Sequence, residues 1–324
     1  MEFIMTTKNE NAKEAWLEKR KHYVTGTDAG KLIGVSPWGG KFAVWCDKTG
    51  RADPVAETPA MKAGKALEET ILRMYAEQLD CKLEHMDGYD LRTCDKFPRL
   101  GASLDGWNHS LGIPVDAKNI RWKDEKWGEA WTSEFPDYYK AQLQVQMMVT
   151  GAKFAHLAVM FSGQDFFVYT MEYAEEMAER ILAETEAFWP YVENDQMPEA
   201  DGSEQADAFI RKEFAVGDEG KEIPATDELE QLVKKLSDAR KAKKAAEENE
   251  KEIGNRIKVL MGNASVVTNL CTWKNEKDSV SVDWAGVAKE AMAELTEDIR
   301  KELTDRYTTV KPGKRPLKIT AKGL

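Results

Sequence analysis

The stretch Gly101-Ala102-Ser103-Leu104-Asp105-Gly106, followed by Pro114-Val115-Asp116-Ala117-Lys118, sets two carboxylates eleven residues apart and a lysine two residues beyond the second. Asp-Gly at 105–106 marks a turn, so the segment reads as a strand end or hairpin leading into a strand that carries Asp116. Side chains two apart on a strand share a face. Asp116 and Lys118 therefore enter one cleft, while Ala117 points away and offers its backbone carbonyl. Hard divalent cations such as Mg²⁺ take oxygen ligands, polarise a phosphate and make a bound water more nucleophilic, so the pattern points to metal-dependent phosphodiester chemistry. A lysine beside such a metal orients the attacking water, stabilises negative charge, or serves as base if its pKa falls. In a chain with 32% charged residues the same pattern also describes a solvated hairpin with a surface ion pair, so the surroundings decide.

Working outward, Leu67, Ile71, Met74 and Tyr75 recur at helical spacing and predict a helix over Ala60 to Leu79. Glu68 adjoins that stripe, either reaching a metal from the side or standing on the helix surface. Downstream, Tyr139-Lys140-Ala141-Gln142-Leu143-Gln144-Val145-Gln146 begins another helix, with Gln142 and Gln146 one turn apart and Tyr138 and Tyr139 nearby. Amides suit a phosphate or a metal-bound water, and equally a helix surface.

The run Trp16-Leu17-Glu18-Lys19-Arg20, then Thr25-Gly26-Thr27-Asp28-Ala29, Ser36-Pro37-Trp38, Gly64-x-x-Leu67-Glu68, the Asp105 segment, Asp116-x-Lys118 and Tyr139-x-Ala141-Gln142-x-Gln144 resembles, in order and over roughly Trp16 to Trp189, the YqaJ-type viral recombinases. These are similar to the phage lambda exonuclease and belong to the PD-(D/E)XK nuclease superfamily. The resemblance implies an α/β fold, a mixed central sheet flanked by helices. It implies Asp105, Asp116 and the Ala117 carbonyl as metal ligands, Lys118 as catalytic lysine, and Glu68 and Gln142 completing the cleft, Glu68 also as a ligand. Asp116 departs from the glutamate more common in the family; aspartate is shorter and is allowed by the superfamily pattern. By the same likeness Arg20, Thr27 and Ser103 hold a terminal 5′-phosphate, as a guanidinium fork and two hydroxyls are able to do. Thr27 also reads as the N-cap of a helix beginning near Asp28, where a helix N-terminus itself attracts anions.

The implied activity is a Mg²⁺-dependent exonuclease, with Mn²⁺ substituting, that degrades duplex DNA 5′ to 3′ from its ends. It would form a homo-oligomeric ring, a trimer by likeness, beside a single-strand annealing protein. Two other readings stay open: a non-catalytic DNA-end-binding scaffold, disfavoured by two mutually repelling carboxylates in one cleft, and an endonuclease with the same metal centre.

A net charge of −11 runs against a DNA enzyme, since phosphate neutralisation supplies much of nucleic-acid affinity. Basic residues nonetheless cluster at Lys19-Arg20-Lys21 and from Lys118 to Lys126, while acids gather in 172–186 and 199–230; a positive channel in an acidic body is the expectation. Trp107, Trp122, Trp127 and Trp131 crowd the same region of sequence, as base-stacking platforms or as packing. The long loop from Ile120 to Phe135 reads as a lid or DNA-contacting arm. Cys46, Cys81, Cys94 and Cys271 show no paired spacing, which indicates scattered reduced thiols and no iron-sulfur cluster. Without a run of about eighteen apolar residues or a leader-like N-terminus, neither membrane insertion nor export is indicated, and a cytoplasmic protein is expected; Met5 offers an alternative start to Met1.

The expected organisation is a nuclease domain over 1–198, a linker over 199–226 with a short helix or strand between Glu199 and Gly220, and a mostly helical appendage over 227–324. In the last, Leu229, Leu236 and Ile257 share one heptad position and Leu232, Ala239, Ala246, Ile253 and Leu260 another, predicting a long helix from Asp227 to Met261 that is a hairpin arm or weak coiled coil. Ala264 to Asp283 suggests a small β element, Asp283 to Arg306 a return to helix. The basic end Lys311 to Lys318 either touches DNA or is solvated.

Overall fold

A computed structural model describes residues 2–5, 10–53, 56–86, 89–218, 220–275, 277, 281–309 and 316–319. The chain divides into two units, Met1–Phe214 and Ala215–Leu324.

In the first unit, β1 (Glu2–Met5), α1 (Glu10–Arg20), α2 (Gly26–Leu32), α3 (Lys41–Lys48) and α4 (Pro59–Leu79) precede β2 (Lys82–His85), β3 (Arg92–Thr93), β4 (Gly101–Ala102), β5 (Gly106–Asn108) and β6 (Ile113–Ile120). Then come α5 (Asp137–Thr150), β7 (Phe154–Phe161), β8 (Asp165–Glu172), α6 (Glu175–Glu193) and α7 (Glu204–Glu213). The sheet order is β1-β2-β5-β6-β7-β8, with β3 and β4 a separate pair. It is mixed: β1/β2 and β6/β7 are parallel, and the other neighbours antiparallel. The parallel step requires a crossover, and α5 supplies it.

The faces of β6 and β7 explain where the site lies. Val115, Ala117, Ala158 and Met160 pack beneath α4 with Ile71, Leu72 and Tyr75. Leu157, Val159 and Phe161 join Leu143 and Met147 of α5 on the opposite face. Strand alternation then puts Asp116 and Lys118 on the α5 side. Each fully buried side chain such as Leu72 or Leu143 contributes about 1.5–3 kcal/mol, so both helices are held firmly against the sheet. Helix α4 starts where its sequence directs: Thr58 accepts from the Met61 N–H at 3.2 Å and Pro59 occupies its first turn. Among the buried side chains, the Tyr75 hydroxyl meets His156 Nδ1 at 2.7 Å and accepts from Asn108 Nδ2 at 2.9 Å, tying α4 to β7 and β5.

Two details differ from the sequence reading. The Asp105-Gly106 pair is not the hairpin turn: Gly106 opens β5, and the turn into β6 comes at 109–112, closed by Gly112 at φ 67°. Glu199 to Phe214 does not behave as a linker. Ser203 caps α7 by accepting from the Ala206 N–H at 3.2 Å, Ala206 is buried, and Phe209 meets the rings of Phe42 and Trp45 at 5.5 Å. An acidic, glycine-containing stretch thus carries a short apolar helix face that finds a place on α3.

In the second unit, α8 (Asp227–Met261) is capped by Thr226, which accepts from the Leu229 N–H at 3.3 Å, and is followed by the antiparallel pair β9 (Val266–Val267) and β10 (Cys271–Thr272), α9 (Trp284–Ala293) and α10 (Glu297–Tyr307). The apolar residues Leu229, Leu232, Ile253, Ile257 and Leu260 of α8 are exposed. Val280, the tail Lys311 to Arg315 and Met1 lie outside the described residues. No helix among the described residues is long and apolar enough to cross a membrane.

Candidate active site

Strand β6 provides the base of the site. Asp116, 1% exposed, receives Gln142 Nε2 at 2.6 Å and Gln146 Nε2 at 2.9 Å on Oδ1, while its Oδ2 pairs with the Lys118 ammonium. The two amides come from successive turns of α5, so the glutamines one turn apart in sequence grip one carboxylate. Helix α2 packs closely on this turn of α5 because Gly26 has no side chain: a Cβ there would stand 2.9 Å from both Cα and Cγ of Gln142.

Asp105, just before β5, accepts the Ala117 N–H on Oδ2 at 2.9 Å, and the same oxygen lies 3.9 Å from Lys118 Nζ. Lys118 Nζ also donates to the Ala117 carbonyl at 3.3 Å and lies 5.8 Å from the centre of the Tyr139 ring. Burial and the neighbouring Asp116 push the Asp105 carboxyl up to about 7, with Lys118 pulling the other way. Burial works against the Lys118 ammonium, but Asp116 and then Asp105 outweigh it and hold its pKa above the ordinary lysine value. In the metal-free site this direction favours the orienting and charge-stabilising roles of Lys118 over the general-base one. Glu68 of α4 meets His85 Nε2 through Oε1 at 3.0 Å.

A cavity of about 430 Å³ joins this centre to a second cluster: Glu68, Asp105, Gln142 and Gln146 line it together with Arg20, Thr27 and Ser103. Arg20 lies over the Trp16 ring at 4.6 Å and donates to Thr25 Oγ1 at 3.3 Å; Trp16 Nε1 donates to Ser103 Oγ at 2.9 Å. The cap of α2 is Thr25, not Thr27, because Asp28 accepts the Thr25 N–H at 3.0 Å. Thr27, in the first turn, stays exposed at the cavity. Cations at the rim include Lys65, paired with Glu57 at 2.5 Å, while Lys21 is paired with Glu18.

The residues expected to hold the metal or the terminal phosphate thus meet at one cavity or directly beneath it, where Asp116, Ala117 and Lys118 lie. His85, Lys65 and Trp16 were not singled out there. Trp16 stood in the matching run without a role, and His85 and Lys65 carry no local signal. The four downstream tryptophans do not line this cavity. Trp127 is buried among Phe135, Tyr139, Phe161 and Tyr169, and Trp122 stands exposed beneath Arg121. Trp131 lines a larger cavity of about 960 Å³ that contains neither Asp105 nor Asp116. The loop that carries Trp122, Trp127 and Trp131 is sewn to β8, with Trp131 N–H donating to Val168 O at 2.7 Å and Thr170 N–H to Thr132 O at 3.2 Å, which restrains it as a lid.

Among the described residues no three His, Cys, Asp or Glu side chains converge as a preformed metal cluster. The donor chemistry nevertheless suits a hard cation. Asp116, the Ala117 carbonyl and Asp105 all turn oxygens toward Lys118 Nζ, the last at 3.9 Å, so hard donors face one charged group here.

The sequence model of the YqaJ-like viral recombinase domain matches residues 15–153. The chain is 24% identical over 311 residues to uncharacterized protein YqaJ of Bacillus subtilis (strain 168), covering 89% of this chain and 94% of that one. Among solved structures, the alkaline exonuclease LHK-Exo from Laribacter hongkongensis covers 62% of this chain and 97% of its own at 17% identity and a TM-score of 0.45. A phage related exonuclease from Haemophilus somnus 129PT covers 55% and 96% at 13% identity and a TM-score of 0.43. The matched segment runs from α1 to the start of β7 and carries Arg20, Glu68, Asp105, Asp116, Lys118 and Gln142. Residues 15–153, somewhat less than half of the chain, are thus similar to the YqaJ-like viral recombinase domain.

Proposed function

We propose that this protein is a Mg²⁺-dependent deoxyribonuclease, with Mn²⁺ as substitute, that shortens one strand of duplex DNA from its 5′ end and leaves a 3′ single strand for recombination. The observation that carries the proposal is the one cavity shared by two chemistries, carboxylates and amides together with a guanidinium and hydroxyls. A terminal phosphate held by Arg20, Thr27 and Ser103 would share the cavity with Asp105, which supports cleavage next to the strand end. An internal site in a closed duplex offers no terminal group for these three side chains.

Asp105, Asp116, the Ala117 carbonyl and Glu68 would hold the cation, which when bound polarises the phosphate and acidifies a water. Gln142 and Gln146 fix the Asp116 carboxylate. Lys118, kept protonated, orients the nucleophile and offsets charge on the phosphoryl oxygens. The similarity to the YqaJ-like viral recombinase domain supports a recombination setting, and with it a single-strand annealing protein as partner and a ring of identical subunits, a trimer, around the DNA.

The test is release of label from a linear duplex marked separately at its 5′ and 3′ ends, with Mg²⁺ or EDTA, beside a closed circle. Mg²⁺-dependent loss from the 5′ end with the circle intact is expected. Cutting of the circle would replace the proposal with an endonuclease, and binding without any cleavage would replace it with an end-binding scaffold.

A further inference from the structure

Behind the arginine of the cavity lies an ion pair that the reading above does not use. Lys48, closing α3, and Asp28, in the first turn of α2, are 4% and 2% exposed and meet at 2.6 Å. Apolar side chains in place of such a pair are often as stable or more so, so stability alone gives little reason for it. Its hydrogen bonds have a direction. Asp28 Oδ2 accepts from the Thr25 N–H at 3.0 Å, the Thr25 hydroxyl at 2.7 Å and Lys48. With its hydrogen given to Asp28, Thr25 Oγ1 is left to accept, and Arg20 Nη2 donates to it at 3.3 Å. Lys48 Nζ also donates to the Arg20 carbonyl at 3.2 Å and to Asp47 at 3.1 Å. Arg20 is thereby held from both ends, its carbonyl by Lys48 and its guanidinium by Thr25, with Trp16 stacked on it and bonded to Ser103. Burial would raise the Asp28 carboxyl, but Lys48 and Arg20 hold it well below the usual carboxylate range, so the acceptor stays charged.

We propose that Lys48, acting through Asp28, is a positioning residue that presents Arg20 and its hydroxyl neighbours to a terminal phosphate and so sets discrimination between phosphorylated and hydroxyl 5′ ends. This rests on the reading of the cavity as a 5′-end pocket. The full chain is assayed on linear duplexes with 5′-phosphate or 5′-hydroxyl ends, kcat and KM being measured separately for wild type, Arg20→Ala and the double variant Lys48→Met with Asp28→Leu, whose apolar pair leaves no buried charge unpartnered. The double variant, melting cooperatively, is expected to lose about tenfold in the phosphate-to-hydroxyl ratio, the size of one charge-assisted hydrogen bond, through KM for the phosphorylated end. Asp28→Asn, nearly isosteric, reads the same pair if the apolar version does not fold, and the same direction of loss is expected. Loss of discrimination in Arg20→Ala with wild-type discrimination in the folded pair variants overturns the inference and leaves the pocket standing. A wild type indifferent to the terminal phosphate overturns both.

Discussion

Gly26→Ala tests the link between packing and chemistry, because a single methyl group would intrude between α2 and α5. Its Cβ would meet Gln142 Cα and Cγ at 2.9 Å and Gln142 O at 3.1 Å, and two of these three atoms are backbone, which a rotamer change cannot move. Overpacking of this kind costs about 1–3 kcal/mol. Alanine's better helix propensity returns at most ~1 kcal/mol, and less at the first helical position. A net loss of about 1–2 kcal/mol lowers the melting temperature by roughly 2–8 °C for a unit of this size. The same displacement moves Gln142 off Asp116, to which it donates at 2.6 Å, and a shift approaching 1 Å is enough for a fall of about tenfold or more in turnover. Calorimetry of the full chain and initial rates on end-labelled duplex read the two effects. Gly64→Ala is the control for stability, since a Cβ at that helical position meets nothing within 4 Å and should stabilise by about 0.5–1 kcal/mol. A Gly26→Ala protein that melts at or above the wild-type temperature and cleaves at the wild-type rate would refute the close approach and the role assigned to Gln142.

Folded Asp105 keeps its proton up to about 7 where an unfolded aspartate releases it near 3.8, so the folded state binds more protons in that window and stability falls as pH rises through it. Asp105→Asn should therefore abolish cleavage yet stabilise the metal-free protein by a few kcal/mol at pH 8, at about 1.4 kcal/mol per unit of pKa shift, with the gain gone by pH 4; urea melts showing an equal gain at both values would count against it. His156 has the opposite slope: burial lowers its pKa from 6.5 to about 4, the unfolded state takes the proton first, and stability declines by about 3 kcal/mol as pH falls through that range. The difference between wild type and His156→Gln isolates this slope, and a flat difference would reject it. Lys118→Ala should lower kcat by about 10²–10³ while changing DNA affinity by no more than about threefold, since its charge acts on the reacting phosphate more than on the rest of the duplex; a loss confined to KM would show that Lys118 only binds.

The amino-acid sequence by itself determined features whose physics is local. Strand alternation puts Asp116 and Lys118 on one side of β6 and Ala117 on the other, and they stand so. Apolar spacing with Thr58 and Pro59 starts α4 within a residue of its expected position, and the heptad pattern bounded by Thr226 and Gly262 yields α8 over the full stretch expected. The tertiary structure decided what those faces meet. The capping box Thr25-x-x-Asp28 is itself local, and what the tertiary structure added is Lys48, twenty residues on, holding the Asp28 carboxylate. The glutamines of α5 became a clamp because β6 brings Asp116 beneath them, while Gly26 lets α2 pack on the same turn. Residues 204–213 became part of the first unit because Phe42 and Trp45 offered Phe209 a surface. Periodicity and capping act within a few residues and leave a mark in the order of side chains. The partner of a buried charge or ring depends on where a distant part of the chain returns, and nothing in the neighbouring residues encodes that.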